Sequence, residues 1–389
     1  MSESSRTKQL PRAVIALGFT SFFTDVGAEM IYPMLPLFMA SLGAGPVFLG
    51  LIEGVADATA SLLKLVSGLA SDKVSQKRPW VVFGYGVAAI ARPLVGLATA
   101  PWHVLAIRVT DRFGKGLRAS PRDVLIASVV PKEAAGRAFG FHQAMDHAGA
   151  VVGPLVATVL LALGLPLRDV FLAAIVPGVL SVLCVLLVRE PAVIPPQTGP
   201  AVATTVRHLP PSLKAYLAIL AVFCLSNSSD VFLLLRAREL GVPVASVSLL
   251  WAVFHIMKLI SAYIGGSWSD RIPRTRIIVS GWLIYAATYL GFGLATRAWQ
   301  VWALFVVYGV FYGLTEPAEK ALVRDLAPPE IRGRAYGYYN FIVGLAAVPA
   351  GLLTGGLWET VGPLAALATG SGLALLSSVA LLAWSRTAA

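Results

Sequence analysis

Several carboxylates stand inside long apolar stretches of this sequence, where ionisable side chains are costly and most often functional. Two pairs are four residues apart, Asp25 with Glu29 and Glu53 with Asp57. This spacing places both members of a pair on one face of a helix. Asp146 follows in a later apolar stretch. Because a carboxyl group in apolar surroundings is suited to take up and release a proton, we predict that these five acids couple proton movement.

A stripe of basic residues accompanies the acids. Arg108, Arg112 and Lys115 fall on one side of a helix, Asp111 lies beside them, and Arg92 stands in the preceding apolar run. A helix with this stripe must turn it toward a cavity or toward carboxylates, because lipid does not solvate charge. We predict that these five residues bind substrate or relay charge, and the basic stripe favours an anionic or zwitterionic solute. The alternative is a static network of salt bridges between helices.

Five further residues are candidates for substrate binding. They are His142, His255, Lys258, Tyr312 and Asn340. His142 and Asp146 are four residues apart, but one such pair is more typical of a hydrogen-bonded relay than of a metal site. We therefore predict neither a metal site nor any other cofactor.

The composition is that of a membrane protein with many spans. Of 389 residues, 57% are hydrophobic and 13% are charged, with a mean hydropathy of +0.76. Soluble proteins have roughly 45–50% apolar and about 25% charged residues. The two cysteines, Cys184 and Cys224, lie in apolar runs, which excludes a secreted disulfide scaffold.

Twelve apolar runs, each near the roughly 20 residues of a transmembrane helix, predict twelve spans. In lipid the backbone polar groups must bond within the segment, so the runs are predicted to be helices; the alternating strands of a barrel are missing from the sequence. The first run carries Asp25 and Glu29 and continues past residue 35, so we interpret it as a span and not as a signal peptide. The runs cover residues 13–38, 46–70, 80–100, 102–119, 138–163, 170–188, 214–235, 245–266, 276–296, 299–315, 335–356 and 363–385.

Most Lys and Arg residues fall in the loops on one side of these spans, which predicts that both termini are cytoplasmic. The net charge of +11 is therefore interpreted as a topology signal and not as a nucleic-acid surface. A proline-rich stretch divides six spans from six. It predicts an N-terminal bundle at 1–189, a cytoplasmic linker at 190–213 and a C-terminal bundle at 214–389.

The two halves repeat each other at an offset near 198 residues. Gly68 to Arg78 corresponds to Gly266 to Arg276, and Pro131 to Gly140 corresponds to Pro328 to Gly337. Both pairs share this offset within one residue, which chance does not explain. Parallel repeats of this kind predict two pseudo-symmetric six-helix bundles with a substrate site near the bilayer midplane.

With these motifs the chain resembles the major facilitator superfamily over nearly its whole length, in particular its drug/proton-antiporter-like branch. The family's loop motif G-x-x-x-D-R-x-G-R-R is matched after span 2, although Ser75 stands at the second glycine position. The second copy has Pro273 there. The resemblance implies alternating access, in which the motif aspartate contacts the start of a neighbouring helix. The gating residues that it implies are Gly68, Asp72, Lys73, Arg78, Asp270 and Arg271.

The family's antiporter motif in span 5, G-x8-G-x3-G-P-x2-G-G, is matched by Gly140, Gly149, Gly153 and Pro154. Ala157 and Thr158 replace its last two glycines. The resemblance adds Gly149, Gly153 and Pro154 to the gating set, with a bend at the proline. Close helix packing alone is the other interpretation of the glycines.

Together these features predict a secondary transporter: a proton-coupled exporter of a small charged or amphiphilic organic solute. The alternatives are a proton symporter that imports a solute, a cation or metal transporter, and a receptor that moves nothing. The motifs of intramembrane enzymes and of ATP-driven proteins, H-E-x-x-H, G-x-S-x-G and the P-loop, do not occur in the sequence. The expected partners are the solute, protons and lipid, without nucleic acid, for a monomer in a prokaryotic inner membrane.

Overall fold

The computed structural model describes residues 10–44, 46–190, 209–228 and 230–387, and within these ranges the chain is helical without strands. Residues 191–208, the larger part of the predicted linker, lie outside the described residues. The helices of the N-terminal half are α1 Arg12–Glu29, α2 Leu35–Ser41, α3 Pro46–Ser71, α4 Arg78–Ala91, α5 Pro101–Val129, α6 Ala135–Ala162, α7 Leu167–Ala173 and α8 Ile175–Leu186. Those of the C-terminal half are α9 Pro211–Ser226, α10 Val231–Glu239, α11 Val244–Ser269, α12 Arg274–Leu294, α13 Ala298–Leu326, α14 Arg332–Thr360 and α15 Pro363–Thr387.

Some runs predicted as continuous helices are interrupted. The run 80–100 contains α4 and then a 3₁₀ turn at Pro93–Leu97, because proline has no N–H to continue the helix. The run 214–235 is divided between α9, which ends at Ser226, and α10, which begins at Val231. Apolar composition predicts that a segment enters the membrane, but it does not predict where the backbone hydrogen bonds stop.

Other helices are longer than their apolar runs. The run 102–119 belongs to α5, and the run 299–315 belongs to α13; both helices continue for ten or more residues. Their added turns contain charged residues such as Arg122, Asp123 and Arg324. A hydropathy pattern ends where charge begins, whereas the helical backbone continues.

Nine helical segments of the described chain are long and apolar enough to cross a membrane. α9 is apolar but shorter, and the charged residues of α5 leave it without an apolar stretch of that length. The number of twelve spans stays a prediction. The nine are 12–34, 78–97, 132–162, 167–186, 249–269, 274–294, 298–326, 329–360 and 363–386.

The chain forms two compact units, and each contains a short stretch from the other half of the sequence. Unit 1 comprises residues within 1–131, 145–208 and 328–341. Unit 2 comprises residues within 132–144, 209–327 and 342–389. The predicted bundle boundaries at 189 and 214 stay a prediction.

The repeated glycines make equivalent close helix contacts in the two units. In unit 1, a Cβ atom added to Gly68 would lie 2.5 Å from the carbonyl oxygen of Gly333. In unit 2, a Cβ atom added to Gly140 would lie 2.5 Å from the carbonyl oxygen of Ala262 and 2.9 Å from the Cα atom of Gly266. Small residues permit helices to approach this closely. The sequence repeat is thus a repeat of helix contacts.

Gly149 and Gly153 on α6 let the backbone of α1 approach in unit 1. A Cβ atom at Gly153 would lie 2.7 Å from the carbonyl oxygen of Val26 and 2.8 Å from the Cβ atom of Glu29. A Cβ atom at Gly149 would collide with the carbonyl oxygen of Phe22 and would lie 3.0 Å from the Cβ atom of Asp25. The contact places the two acids of α1 beside α6.

We expect Gly149→Ala to destabilise the protein by about 1–3 kcal/mol, because backbone atoms of α1 have to move away from the added methyl group. Thermal unfolding of the detergent-solubilised protein measures this loss. Gly86→Ala in α4 is the control, since its Cβ atom would meet nothing within 4 Å. A loss in Gly86→Ala as large as that in Gly149→Ala would contradict the contact.

Candidate functional site

A buried group of charges lies at the centre of unit 1. Nε of Arg92 is 2.8 Å from Oδ1 of Asp111, and Nη1 of Arg108 is 3.8 Å from Oδ2 of the same carboxylate. Arg92 also donates a hydrogen bond to the carbonyl oxygen of Thr24 on α1. Asp111 is only 1% exposed. Since a buried charge requires a partner, this ion-pair group joins α1, the end of α4 and α5.

A second set of charges in unit 1 is accessible. The side chain of Asp57 is 67% exposed, and its Oδ1 atom lies 3.3 Å from Nε of Arg112. Lys115 on α5 is exposed, and acids of three helices are its electrostatic neighbours: Asp57, Asp25 and Asp146. We call Asp25, Glu29, Asp57, Arg112, Lys115 and Asp146 the charged face.

Two acids of the charged face come together from different helices. The carboxyl group of Asp25 on α1 lies within hydrogen-bond range of that of Asp146 on α6. Oγ of Ser21 donates a 2.6 Å hydrogen bond to Oδ1 of Asp146. Both acids are half-buried, as is Glu29 one turn further along α1. The side chain of Glu53, the remaining predicted proton-coupling residue, lies outside the described residues.

A row of hydroxyl groups continues from this acid pair into the interior of unit 1. Oγ1 of Thr24 lies 2.5 Å from Oγ of Ser181, and Ser181 donates to the carbonyl oxygen of Thr20 at 3.0 Å. Ser21, Thr24 and Ser181 were not among the predicted site residues. For Ser21 and Thr24 the signal is the three- to four-residue spacing of hydroxyl residues along α1, whereas Ser181 lies on α8 and has no such signal.

The structure places other predicted binding residues outside the charged face. In unit 1, Nδ2 of Asn340 donates to Oδ2 of Asp123 at 3.3 Å, and Asp123 is also paired with Arg122 at 2.9 Å. His142 is buried in unit 2. His255 is half-buried and packs edge-on against Trp251, with 5.1 Å between the ring centroids.

Unit 2 holds a carboxylate among aromatic rings. Asp230 stands at the break between α9 and α10, where Tyr308 and Tyr312 of α13 donate hydrogen bonds to its Oδ1 atom at 2.7 and 3.3 Å. Nζ of Lys258 lies 3.8 Å from its Oδ2 atom. Two predicted binding residues, Lys258 and Tyr312, thus meet at an acid that was not among the predicted site residues.

The motif aspartates lie at the starts of helices. Oδ2 of Asp72 accepts the backbone N–H of Arg334 at 3.0 Å in unit 1. In unit 2 the carboxylate of Asp270 accepts the backbone N–H groups of Gly136 and Arg137 at 2.8 and 2.9 Å. A carboxylate at this position satisfies N–H groups that the helix leaves without partners and complements its positive end.

Burial of the two carboxyl groups raises their pKa by more than these attractions lower it. It raises the pKa of Asp72 to about 6, although the backbone N–H groups and the Arg334 guanidinium act in the opposite direction. Burial also raises the pKa of Asp270, opposed by its own N–H partners and by Arg274. Both groups lie in turns outside the spans.

Other residues of the loop motif have different positions. Nη2 of Arg78 donates to the carbonyl oxygen of Leu186 at 2.6 Å, and the carboxylate of Glu190 accepts the backbone N–H groups of Lys77 and Arg78. Lys73 and Arg271 are exposed. Our sequence analysis did not single out Arg274, whose Nε atom lies 2.6 Å from Oδ2 of Asp325 and which also pairs with Asp270 at 3.4 Å.

Among the side chains that the structure describes, no three His, Cys, Asp or Glu residues form a group that could hold a metal ion. Pro154 lies inside α6, which continues through it. The bend at this proline, and the gating roles of the motif residues, stay predictions.

A family model described as the Major Facilitator Superfamily matches residues 17–235 and 215–388. An uncharacterised MFS-type transporter from Methanocaldococcus jannaschii is 33% identical over 386 residues, which covers 96% of this chain and 95% of that relative. The multidrug resistance protein MdtH from Salmonella newport is 24% identical over 367 residues, which covers 92% of this chain and 88% of MdtH.

A solved structure with the same fold is that of the human organic anion transporter MFSD10. It aligns with a TM-score of 0.75 at 16% identity and covers 96% of this chain and 100% of that one. At this identity the likeness shows the fold alone. It confirms the predicted fold class of helices in a membrane.

The ion pairs of Asp111 and Asp57 are expected to contribute different amounts to the free energy of unfolding. We expect Asp111→Asn to lower the free energy of unfolding by about 3–5 kcal/mol, because Arg92 and Arg108 are then buried without their anion. For Asp57→Asn we expect a change below about 1 kcal/mol, since the Asp57 side chain is 67% exposed. Unfolding of the detergent-solubilised variants measures both values, and equal losses would contradict the distinction.

The raised pKa of Asp72 makes a prediction about pH. The carboxyl group of Asp72 binds a proton more tightly in the folded protein than in the unfolded chain. The stability that this protonation contributes is full near pH 4 and is lost as the pH rises through about 6. We therefore expect the melting temperature of the wild type, relative to Asp72→Asn, to fall between pH 4 and 7. Asp169→Asn, at an exposed position in the first turn of α7, is the control. A difference that is constant or rises with pH would contradict the assignment.

Proposed function

The chain belongs to the major facilitator superfamily, and on that premise we propose that it is a proton-coupled antiporter that exports a small charged or amphiphilic organic solute. Membership in this family makes it a multi-pass membrane transporter of small molecules and not an enzyme. We also propose a monomer in the inner membrane with both termini in the cytoplasm, on the distribution of Lys and Arg.

The observation that carries the proposal is the acid pair of Asp25 and Asp146 beside Lys115. Two adjacent carboxyl groups are suited to share one proton, because two adjacent negative charges repel each other. Lys115 presents a positive charge to the same acids. Protons and a charged solute therefore interact with the same group of charged side chains in unit 1.

This shared environment provides the coupling. A solute cation competes with the proton for the acids directly, which is the relation that antiport requires. A solute anion that binds near Arg112 and Lys115 weakens their attraction for the acids and so raises the proton affinity of the acids, which is the relation of a symporter. Either change alters proton affinity, and the proton alters solute affinity by the same factor. The buried pairs of Asp111 are proposed to keep the helices in place while the charged face exchanges its ligands.

Two features support export over import. The name of the relative MdtH describes a multidrug resistance protein. The close contact of Gly149 and Gly153 with α1 lies on the motif that resembles the antiporter signature. A symporter would use the same charged face, so the direction of coupling needs a direct test.

Proteoliposomes with trapped pyranine supply this test. We expect addition of ethidium, a permanent organic cation, to raise the lumenal pH, because an antiporter releases protons as the solute enters; benzenesulfonate, a permanent organic anion, is the second solute added. A fall in lumenal pH would show symport. Silence with both ions would contradict a proton-coupled carrier of charged organic solutes.

The same assay tests the coupling residues. We expect Asp25→Asn and Asp57→Asn to reduce the solute-induced pH change to the level of protein-free liposomes, because each removes a proton acceptor of the charged face. Asp169→Asn, at an exposed position in the first turn of α7, is expected to behave as the wild type. Unchanged proton movement in both charged-face variants would end the assignment.

A further inference from the structure

An aromatic cage surrounds the ammonium group of Lys258 in unit 2. Nζ of Lys258 lies 4.0 Å from the centroid of the Phe254 ring and 3.7 Å from that of the Tyr312 ring. The ring of Tyr308 stacks on Phe254 at 5.2 Å. Both distances from Nζ are well inside the roughly 6 Å limit for cation–π attraction. The arrangement has the geometry of a binding site for a positively charged nitrogen.

One oxygen of the cage carboxylate accepts hydrogen bonds, and the other takes part in an ion pair. Oδ1 of Asp230 accepts hydrogen bonds from Tyr308 and Tyr312, at 2.7 and 3.3 Å. Oδ2 accepts no hydrogen bond from any side chain that the structure describes, and its ion pair with Lys258 at 3.8 Å is longer than a hydrogen bond. An incoming N–H donor would therefore find an available acceptor.

The chemistry of the cage selects for a cation. Both tyrosine hydroxyls already donate to Asp230, so a bound anion would have to displace a carboxylate. A cation instead meets ring faces, which are electron-rich, and a negative oxygen. Half-buried Trp251 and His255 pack beside Phe254, at 5.3 and 5.7 Å between centroids, and supply further flat surface for an apolar body.

We propose that this cage, formed by Asp230, Phe254, Tyr308 and Tyr312, binds a positively charged nitrogen of the transported solute, and that the ammonium group of Lys258 competes for it. The long flexible stem of lysine allows its ammonium group to leave the cage. Two cations do not share one carboxylate without repulsion, so entry of the solute requires Lys258 to withdraw. The inference rests on the proposed function, whose solute class it narrows to organic cations and zwitterions.

Removal of the competitor provides the experiment. Lys258→Ala retains Cβ and lacks the remaining three carbons and the ammonium group, which n-propylammonium reproduces. We expect n-propylammonium to raise the melting temperature of detergent-solubilised Lys258→Ala in a saturable manner, with an affinity at least about tenfold higher than for the wild type, a difference of about 1.4 kcal/mol. Isothermal titration provides the affinities. Neutral n-propanol is expected to have no such effect.

Two controls test whether the response to n-propylammonium is specific to the cage or occurs wherever a lysine side chain is removed. Lys320→Ala removes a buried lysine of the same unit that pairs with Glu316 at 3.3 Å, and we expect no comparable response to n-propylammonium. Addition of Tyr312→Leu to Lys258→Ala removes a cage wall and is expected to abolish binding. An equal response in Lys320→Ala, or intact binding in the double variant, would overturn the proposal.

A second variant covers the case in which Lys258→Ala does not fold. Lys258→Gln retains much of the volume without the charge, and we expect it to bind tetramethylammonium more tightly than the wild type does. If neither variant gains ammonium binding, the cage proposal is wrong. Because these titrations need no gradient, ammonium binding without proton-coupled flux would instead count against the proposed function alone.

Discussion

The carboxylate of Asp111, held between two buried arginines, is the interaction on which unit 1 depends. Arg92 and Arg108 could not stay in a low-dielectric interior without it, and Arg92 also fixes the backbone of α1 through Thr24. Asp111 and Arg108 of α5 are paired within this buried group, so the other charged residues of α5 interact with different side chains. Arg112 and Lys115 face the accessible acids. One helix thus carries a buried ion pair on one side and accessible charges on the other.

The two units form equivalent helix contacts with equivalent residues. A motif glycine admits a close helix crossing, and the aspartate four residues later binds the exposed N–H groups at the start of a helix. Each unit obtains that helix start from the other half of the sequence, residues 328–341 in unit 1 and 132–144 in unit 2. The chemistry of the units nevertheless differs. Unit 1 presents a charged face, whereas unit 2 presents aromatic rings around Asp230.

Much of the fold follows from the sequence, for general physical reasons. Apolar runs that carry backbone amides into lipid have to be helices, so hydropathy alone predicts the class. The repeat at an offset near 198 predicts two related bundles, because chance does not place Asp72 and Asp270 in matching contexts. The cost of charge in lipid also identifies the acids and bases of α1, α5 and α6 as functional candidates.

The partners of these charges were decided by tertiary structure. Helical periodicity shows which residues share a face, but it does not show which helix lies opposite. Asp111 and Asp57 therefore looked alike in the sequence, although one is sealed between arginines and the other is exposed. Asn340 contacts Asp123, 217 positions away, and Asp230 gains its cage from a helix break that composition does not reveal. The sequence determines which chemical groups each helix carries on which face. Tertiary packing between residues far apart in the sequence determines which of these groups come into contact.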